Sequence, residues 1–363
     1  MTADFTTAAP ASDQALLEVF DRQASWCQLP SPFSARVLQR SRLWLQDQPA
    51  ARALLCKLAA DPLAAAVPLR WLAALHLLAL KGLPPWAQLW PPAGTASGAP
   101  TDADLDAAIS RAWHSQRTAL RLALQSPPQT NEVQRSAALL PGLLHAAAQT
   151  GLPLVLLEIG ASAGLNLWCD HYRHDHGSWT WAETAPGLVL RSEWLGPPPP
   201  LHASLHISRR AGCDANPIDL DDPVQALRLA SYIWPDQPER MLRLRQAQQV
   251  AAACMARSGV RIQTAAAADF LRLQLRQRRP GQAAVLMHSV VWQYLRGAEQ
   301  ADIEAQMQAA GSASSADSPL VWLRFEPPLP ELVMELRCRI WPDGGDQLLA
   351  RCHPHGARIE WLV

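Results

Sequence analysis

The chain has 363 residues, enough for one large domain or two ordinary ones, so core size is not limiting. Its 32 Lys and Arg balance 32 Asp and Glu, which removes any general case for nucleic acid or an acidic membrane surface as partner and leaves a small molecule as the expectation. Seven cysteines, odd in number and without a Cys-x-x-Cys pair, argue against a disulfide framework and against zinc, so no metal is expected and a reducing cytoplasm is the expected compartment.

The first twelve residues carry neither a basic segment nor an apolar one, so no export signal is visible. No apolar run approaches the ~18 residues of a membrane span. From there to residue 150 the pattern is helical. Leu16, Leu17, Phe20 and Ala24 sit at helical spacing over 13–28. Ser31 followed by Pro32 reads as an N-cap and first-turn proline for a helix to about Leu45. An apolar helix over 68–80 stops at Gly82 and Pro84–Pro85. Thr101 with Asp104 resembles a capping box opening a long helix to about Leu124. A further helix begins near Asn131, and Pro141 should kink it. The 15 tryptophans are scattered, as in ordinary cores.

After Leu154 the pattern becomes alternation. Strands are expected over 154–159, 187–193, 205–213, 260–265, 283–288 and 319–325, and helices over 163–171, 223–231, 237–257, 266–278 and 299–310. Three strand-like runs close the chain, separated by the turn signals "PDGGD" and "PHG". The expected fold is α/β: a Rossmann-like, doubly wound, mainly parallel sheet with a C-terminal antiparallel hairpin, over 151–363, preceded by an all-helical domain over 1–150.

The most informative stretch is "LVLLEIGASAGLNL". A short apolar run fits a strand buried on both faces, and it ends in Glu158. Gly160, Ala161, Ser162, Ala163 and Gly164 form a turn, and a helix opening straight after it would offer free N–H groups and a positive dipole end to an anion or nucleotide. A dinucleotide fingerprint needs glycines where Ser162 and Leu165 stand, which disfavours NAD. "GASAG" also satisfies Gly-x-Ser-x-Gly, the nucleophile elbow of esterases, with Ser162 as nucleophile. That reading needs upstream strands for its oxyanion hole, and none is legible.

The turn resembles the first motif of class I S-adenosylmethionine-dependent methyltransferases, and "GCDANP" resembles their second. The resemblance implies that Glu158, Gly160, Ala161, Ser162 and Gly164 hold the amino-acid part and ribose of S-adenosylmethionine. Asp214 would take the ribose hydroxyls and Asp269 would stand near the adenine. Asp214 lies 54 residues beyond Gly160, far past the roughly 20 usual for such an acid, so an insertion over 172–200 is assumed. His288, at the carboxyl end of the next strand, is the expected general base, against the plainer role of capping the sheet edge. Ser289, Trp292 and Glu326 share that edge, and Asn131 and Glu132 would cover the pocket or merely cap their helix. The basic run "RLQLRQRR" fits a solvated helix face better than a phosphate grip.

The blocks "QTNEVQR", "EIGASAGLNL", "GCDANPID", "WPDQPER" and "HSVVWQYL", in this order, make nearly the whole chain similar to one bacterial family, domain of unknown function 2332. That resemblance implies membership but no activity. The expected activity, methyl transfer to a small-molecule O or N nucleophile, rests on the motifs above. A Ser162 esterase and a non-catalytic ligand-binding protein that keeps the fold are the alternatives.

Overall fold

A computed structural model of the chain describes residues 11–90, 99–125, 128–181, 187–328 and 333–363. Its backbone groups into two compact units, one formed by Met1–Thr130 and Asp222–Leu242, the other by Asn131–Asp221 and Arg243–Val363. The expected cut near residue 150 differs from this grouping, which assigns the helix Ser136–Thr150 to the second unit and the segment Asp222–Leu242 to the first.

In the first unit the described residues hold the helices Asp13–Cys27, Pro32–Gln46, Pro49–Cys56, Val67–Leu80, Trp86–Leu89, Asp102–Ser115, Arg117–Gln125 and Pro223–Ser231. Leu16, Phe20, Leu38, Leu75, Trp71 and Trp86 are buried in one core. The capping box forms as read: Asp104 N–H donates to Thr101 Oγ1 at 3.2 Å, and Thr101 N–H donates back to Asp104 Oδ2 at 2.8 Å. The helix it opens stops at Ser115, and a second one runs Arg117–Gln125, so the single helix expected to Leu124 is two. Ser31 precedes its helix but does not cap it. Its hydroxyl donates to Asp236, whose Oδ2 accepts the Phe33 N–H at 3.1 Å and so satisfies the exposed helix end in the serine's place.

The second unit is mixed α/β around a large, mostly parallel sheet. Its strands are β1 (Leu154–Ile159), β2 (Arg173–Asp175), β3 (Thr180–Trp181), β4 (Val189–Leu190), β5 (Glu193–Leu195), β6 (Ile207–Asp214), β7 (Ile262–Thr264), β8 (Ala283–Ser289), β9 (Leu320–Glu326), β10 (Met334–Trp341), β11 (Asp346–Cys352) and β12 (Arg358–Trp361). The main sheet runs β5-β12-β11-β10-β9-β8-β1-β6-β7, and β2, β3 and β4 form a small sheet of their own. β7, β6, β1, β8 and β9 are mutually parallel, β9 to β12 alternate in direction, and β5 lies parallel to β12. The expected strand over 187–193 is thus two: β4 joins the small sheet and β5 the far edge of the large one.

β1 is buried along its whole length because both faces are covered. Val155, Leu157 and Ile159 pack with Phe270 and Leu271 of the helix Ala267–Leu275 and with Ile303 and Met307 of the helix Gly297–Ser312. The helix Ser136–Thr150 packs on β9, β10 and β11; it contains Pro141 without a break and approaches so closely that a Cβ on Gly142 would fall 2.6 Å from the Leu323 side chain on β9. Among the described residues no helix is long and apolar enough to cross a membrane.

One expectation fails at an important place. The helix over 163–171 is absent; the chain instead makes a short 3₁₀ segment, Asn166–His171, with Trp168 outside helical torsions. Side chains have taken the backbone groups a helix would use. Tyr172 Oη donates to the Leu165 carbonyl (2.6 Å), Arg210 to that of Leu167 (2.7 Å) and His174 to that of Cys169 (2.8 Å), while Asn131 Oδ1 accepts the Leu165 N–H (3.0 Å).

Candidate functional site

Glu158 is the next-to-last residue of β1, and alternation turns it away from the Val155–Leu157–Ile159 face. It is 2% exposed, and its Oε2 is buried with no hydrogen-bond partner. Burial, and next the Asp214 carboxylate at the end of the neighbouring strand, push the Glu158 carboxyl well above its ordinary value. The turn that follows is tightly specified. Gly160 and Gly164 have φ of +66° and +72°; a Cβ on the first would lie 2.3 Å from Val291 Cγ2 and one on the second 2.5 Å from Ile262 Cδ1. Ser162 also adopts a positive φ, 52°. It is pinned there because its N–H donates to Asp214 Oδ2 (2.9 Å) and its carbonyl accepts the Ile218 N–H (3.1 Å). The Ser162 hydroxyl is buried and has no partner.

A strap, 131–136, crosses several of the loops at this edge. Besides the Asn131 bond to Leu165, Ser136 Oγ donates to Asn166 Oδ1 (2.8 Å). Gln134 Nε2 donates to the Arg191 carbonyl (2.7 Å) and Ser192 Oγ (2.9 Å). Arg135 reaches the carbonyls of Ser289 (3.4 Å) and Pro354 (3.3 Å). Glu132 accepts the Gln134 N–H with one oxygen and faces His355 Nδ1 at 3.2 Å with the other.

Across β8, on the opposite face from Glu158, His288 is fully buried and both ring nitrogens are engaged. Trp322 Nε1–H donates to Nε2 (3.0 Å), so Nδ1 carries the proton and donates to Glu326 Oε1 (2.7 Å). The same Glu326 oxygen accepts the N–H groups of Val291 (3.0 Å) and Trp292 (3.3 Å), and the Trp292 ring stacks on the imidazole at 5.4 Å.

The family model described as an uncharacterized protein conserved in bacteria (DUF2332) matches residues 17–361. The chain belongs to this family. Neither the curated proteins nor the solved structures compared with it gave a match. In this DUF2332 member the structure gathers Glu158, Gly160, Ala161, Ser162, Gly164, Asp214 and Asn131 around one turn, joined by the bonds above. Glu132 belongs to the strap. Ser289, Trp292 and Glu326 cluster with His288, whose ring has no nitrogen left to receive a substrate proton. Asp269 stands apart: its side chain is 71% exposed and pairs with Arg272, which also binds Asp302. The basic run that contains Arg272 is thereby partly spent on ion pairs.

The sequence reading did not single out Arg135, Asn166, Tyr172, Val291 or His355, which build or brace the edge. Of these Arg135, Asn166 and Val291 lay inside blocks already noted, "QTNEVQR", "EIGASAGLNL" and "HSVVWQYL". Among the described residues no group of three or more His, Cys, Asp or Glu is placed to hold a metal ion, and all seven cysteines are free and buried.

Proposed function

We propose that this protein binds S-adenosylmethionine at the turn after β1 and transfers its methyl group to a small-molecule O or N nucleophile. The observation that carries the reading is the placement of Glu158. Counted along the chain, the parallel strands β7-β6-β1-β8-β9 follow the order 3-2-1-4-5, which supports reading the sheet as Rossmann-like and doubly wound, with its ligand where the order reverses, between β1 and β8. Glu158, next to last in β1, stands at that point with a buried, unpartnered oxygen. An acid without a counter-ion suits the positively charged amino-acid end of this cofactor, and Asp214, on the adjacent strand end, suits ribose hydroxyls. The Ser162 hydroxyl adds a second unused polar atom. Because a 3₁₀ segment replaces the helix, the turn and Asn131, not a helix dipole, do the holding.

When bound, the cofactor supplies an electrophilic methyl group. The protein's part is alignment and exclusion of water, and orientation alone can lower a barrier by ~7–11 kcal/mol. His288 serves as a strut: with Nε2 receiving the Trp322 N–H and Nδ1 donating to Glu326, it holds the β8 end and does not move a proton. That engagement also favours a second reading, a protein that binds the ligand without turnover. The esterase reading has no such support, since no imidazole bonds to the Ser162 hydroxyl.

Calorimetry with S-adenosylmethionine and S-adenosylhomocysteine tests the proposal. Binding is expected, with S-adenosylmethionine weakened about tenfold in Glu158→Gln, because the carboxyl that burial keeps protonated in the free protein can ionise against the cofactor's ammonium and an amide cannot. Folded protein that binds neither compound removes the reading. Binding without methyl transfer to any nucleophile offered selects the second one.

A further inference from the structure

The turn after β8 contains a residue that sequence logic does not anticipate. Val290 has φ +54°, a left-handed conformation that a β-branched residue adopts only under constraint. The constraint is visible. Val290 N–H donates to the Phe325 carbonyl (3.0 Å), and the next two N–H groups, of Val291 and Trp292, converge on Glu326 Oε1 together with His288 Nδ1–H. Three donors on one carboxylate oxygen fix the path of 290–292. The imidazole that supplies one of them is itself locked by the Trp322 bond and the Trp292 stack. The outcome of this path is the position of the Val291 side chain, which lies so close to Gly160 that no Cβ fits there.

We propose that Glu326 is a positioning residue for the glycine turn after β1, acting through Val291, which it presses against Gly160. As a role in ligand binding this rests on the reading that the turn is the cofactor cradle; the mechanical link does not. The two carboxylates at this end of the sheet thus do different work. Glu158 faces the ligand, and Glu326, on the opposite face, sets the backbone on which the ligand rests. In Glu326→Ala the Val290 strain is released, 290–292 relaxes, and the turn at 160–164 loses its backing. In Glu326→Gln the amide oxygen still accepts the two backbone N–H groups, so most of the effect is rescued.

Hydrogen exchange of the full chain, read by segment, tests the link. In Glu326→Ala we expect exchange about tenfold faster at 290–292, as fits the loss of a charged acceptor, and a comparable rise at 160–164. The helices Asp13–Cys27 and Pro32–Gln46 should keep their rates, and Glu326→Gln should lie close to the parent. Faster exchange at 290–292 with 160–164 unchanged overturns the proposal. Should Glu326→Ala not fold, Val291→Ala gives the same decision with the carboxylate clamp intact: 160–164 must loosen while the Trp292 amide stays protected, and an unchanged 160–164 again overturns it. Calorimetry on the same variants separates the two claims. A parent that fails to bind S-adenosylmethionine sinks the cofactor reading without touching the exchange result. A parent that binds, with Val291→Ala binding equally well, overturns the positioning role.

Discussion

Two buried histidines make the stability of the second unit depend on pH in a way that can be worked out from their bonds. His174 donates Nε2–H to the Cys169 carbonyl, and its Nδ1 is buried with no partner. His176 accepts the Ser192 N–H on Nδ1 (3.1 Å), and its Nε2 is buried with no partner. Adding a proton to either ring therefore creates an unsatisfied buried N–H or displaces a backbone donor. Burial, the largest cause in each case, lowers His174 from 6.5 to about 3 and His176 from 6.5 to about 4. The unfolded chain takes up these protons below pH 6.5 and the folded one does not until the lower values are reached, so stability falls as pH falls through that window. Between pH 6.5 and 5 each ring contributes a loss of about 1.6 kcal/mol, about 3 kcal/mol together. Glu158 works the other way. Its raised value means the folded state holds a proton the unfolded state has already released, so acidification toward its unfolded value of 4.5 restores part of the stability. The expected net effect is a loss smaller than the two-histidine figure, read as a lower urea midpoint at pH 5 than at pH 6.5 at fixed ionic strength. Glu158→Gln should steepen the dependence toward the full two-histidine value, and replacing His176 by Asn should flatten it. A midpoint that is flat or rises on acidification in Glu158→Gln would refute the reasoning.

Three further outcomes follow from contacts already described. Gly160→Ala combines a left-handed φ with a clash against Val291, and should cost about 2–4 kcal/mol in denaturant titrations; adding Val291→Ala should recover the packing share and leave the torsional one. Asp170→Ala strips the partner from Arg210, whose guanidinium binds both carboxylate oxygens (3.0 and 2.6 Å) with only 9% of the side chain exposed, and should cost about 3–5 kcal/mol in the same assay. Asp269→Ala, at an exposed pair, should leave both the urea midpoint and S-adenosylmethionine binding unchanged; a weakened affinity would return Asp269 to the site.

What the sequence revealed is what neighbouring residues decide. The strand 154–159 was legible because a short apolar run ended by glycine has few other uses, and the capping box because its reciprocal bonds join residues three apart. The three closing strands were announced by their turns. The losses came where a distant side chain outbids local preference. Residues 163–171 have an acceptable helical pattern, yet their carbonyls are claimed by Tyr172, His174 and Arg210, the last from another strand. Ser31 looks like a cap, but Asp236, some 200 residues away, does the capping. His288 sits at the strand end where a base was expected, and only the structure shows Trp322 and Glu326 occupying both its nitrogens. Asp269 was assigned from the resemblance and its place after a strand, which fix where an element ends but not which way its side chain faces.

The far edge of the large sheet has an implication for how the molecule assembles. Among the described residues β5 pairs in the main sheet with β12 alone, Ile359 standing opposite Trp194. During translation, at about 5–20 residues per second, β5 emerges well before the strand it needs. Until then its backbone groups are an open template, and they invite pairing with another nascent chain. Late closure of so distant a pair is also slow, because the intervening loop must be ordered first. Refolding from denaturant should therefore become concentration-dependent in aggregation before it becomes limited by any event at the helical N-terminal unit.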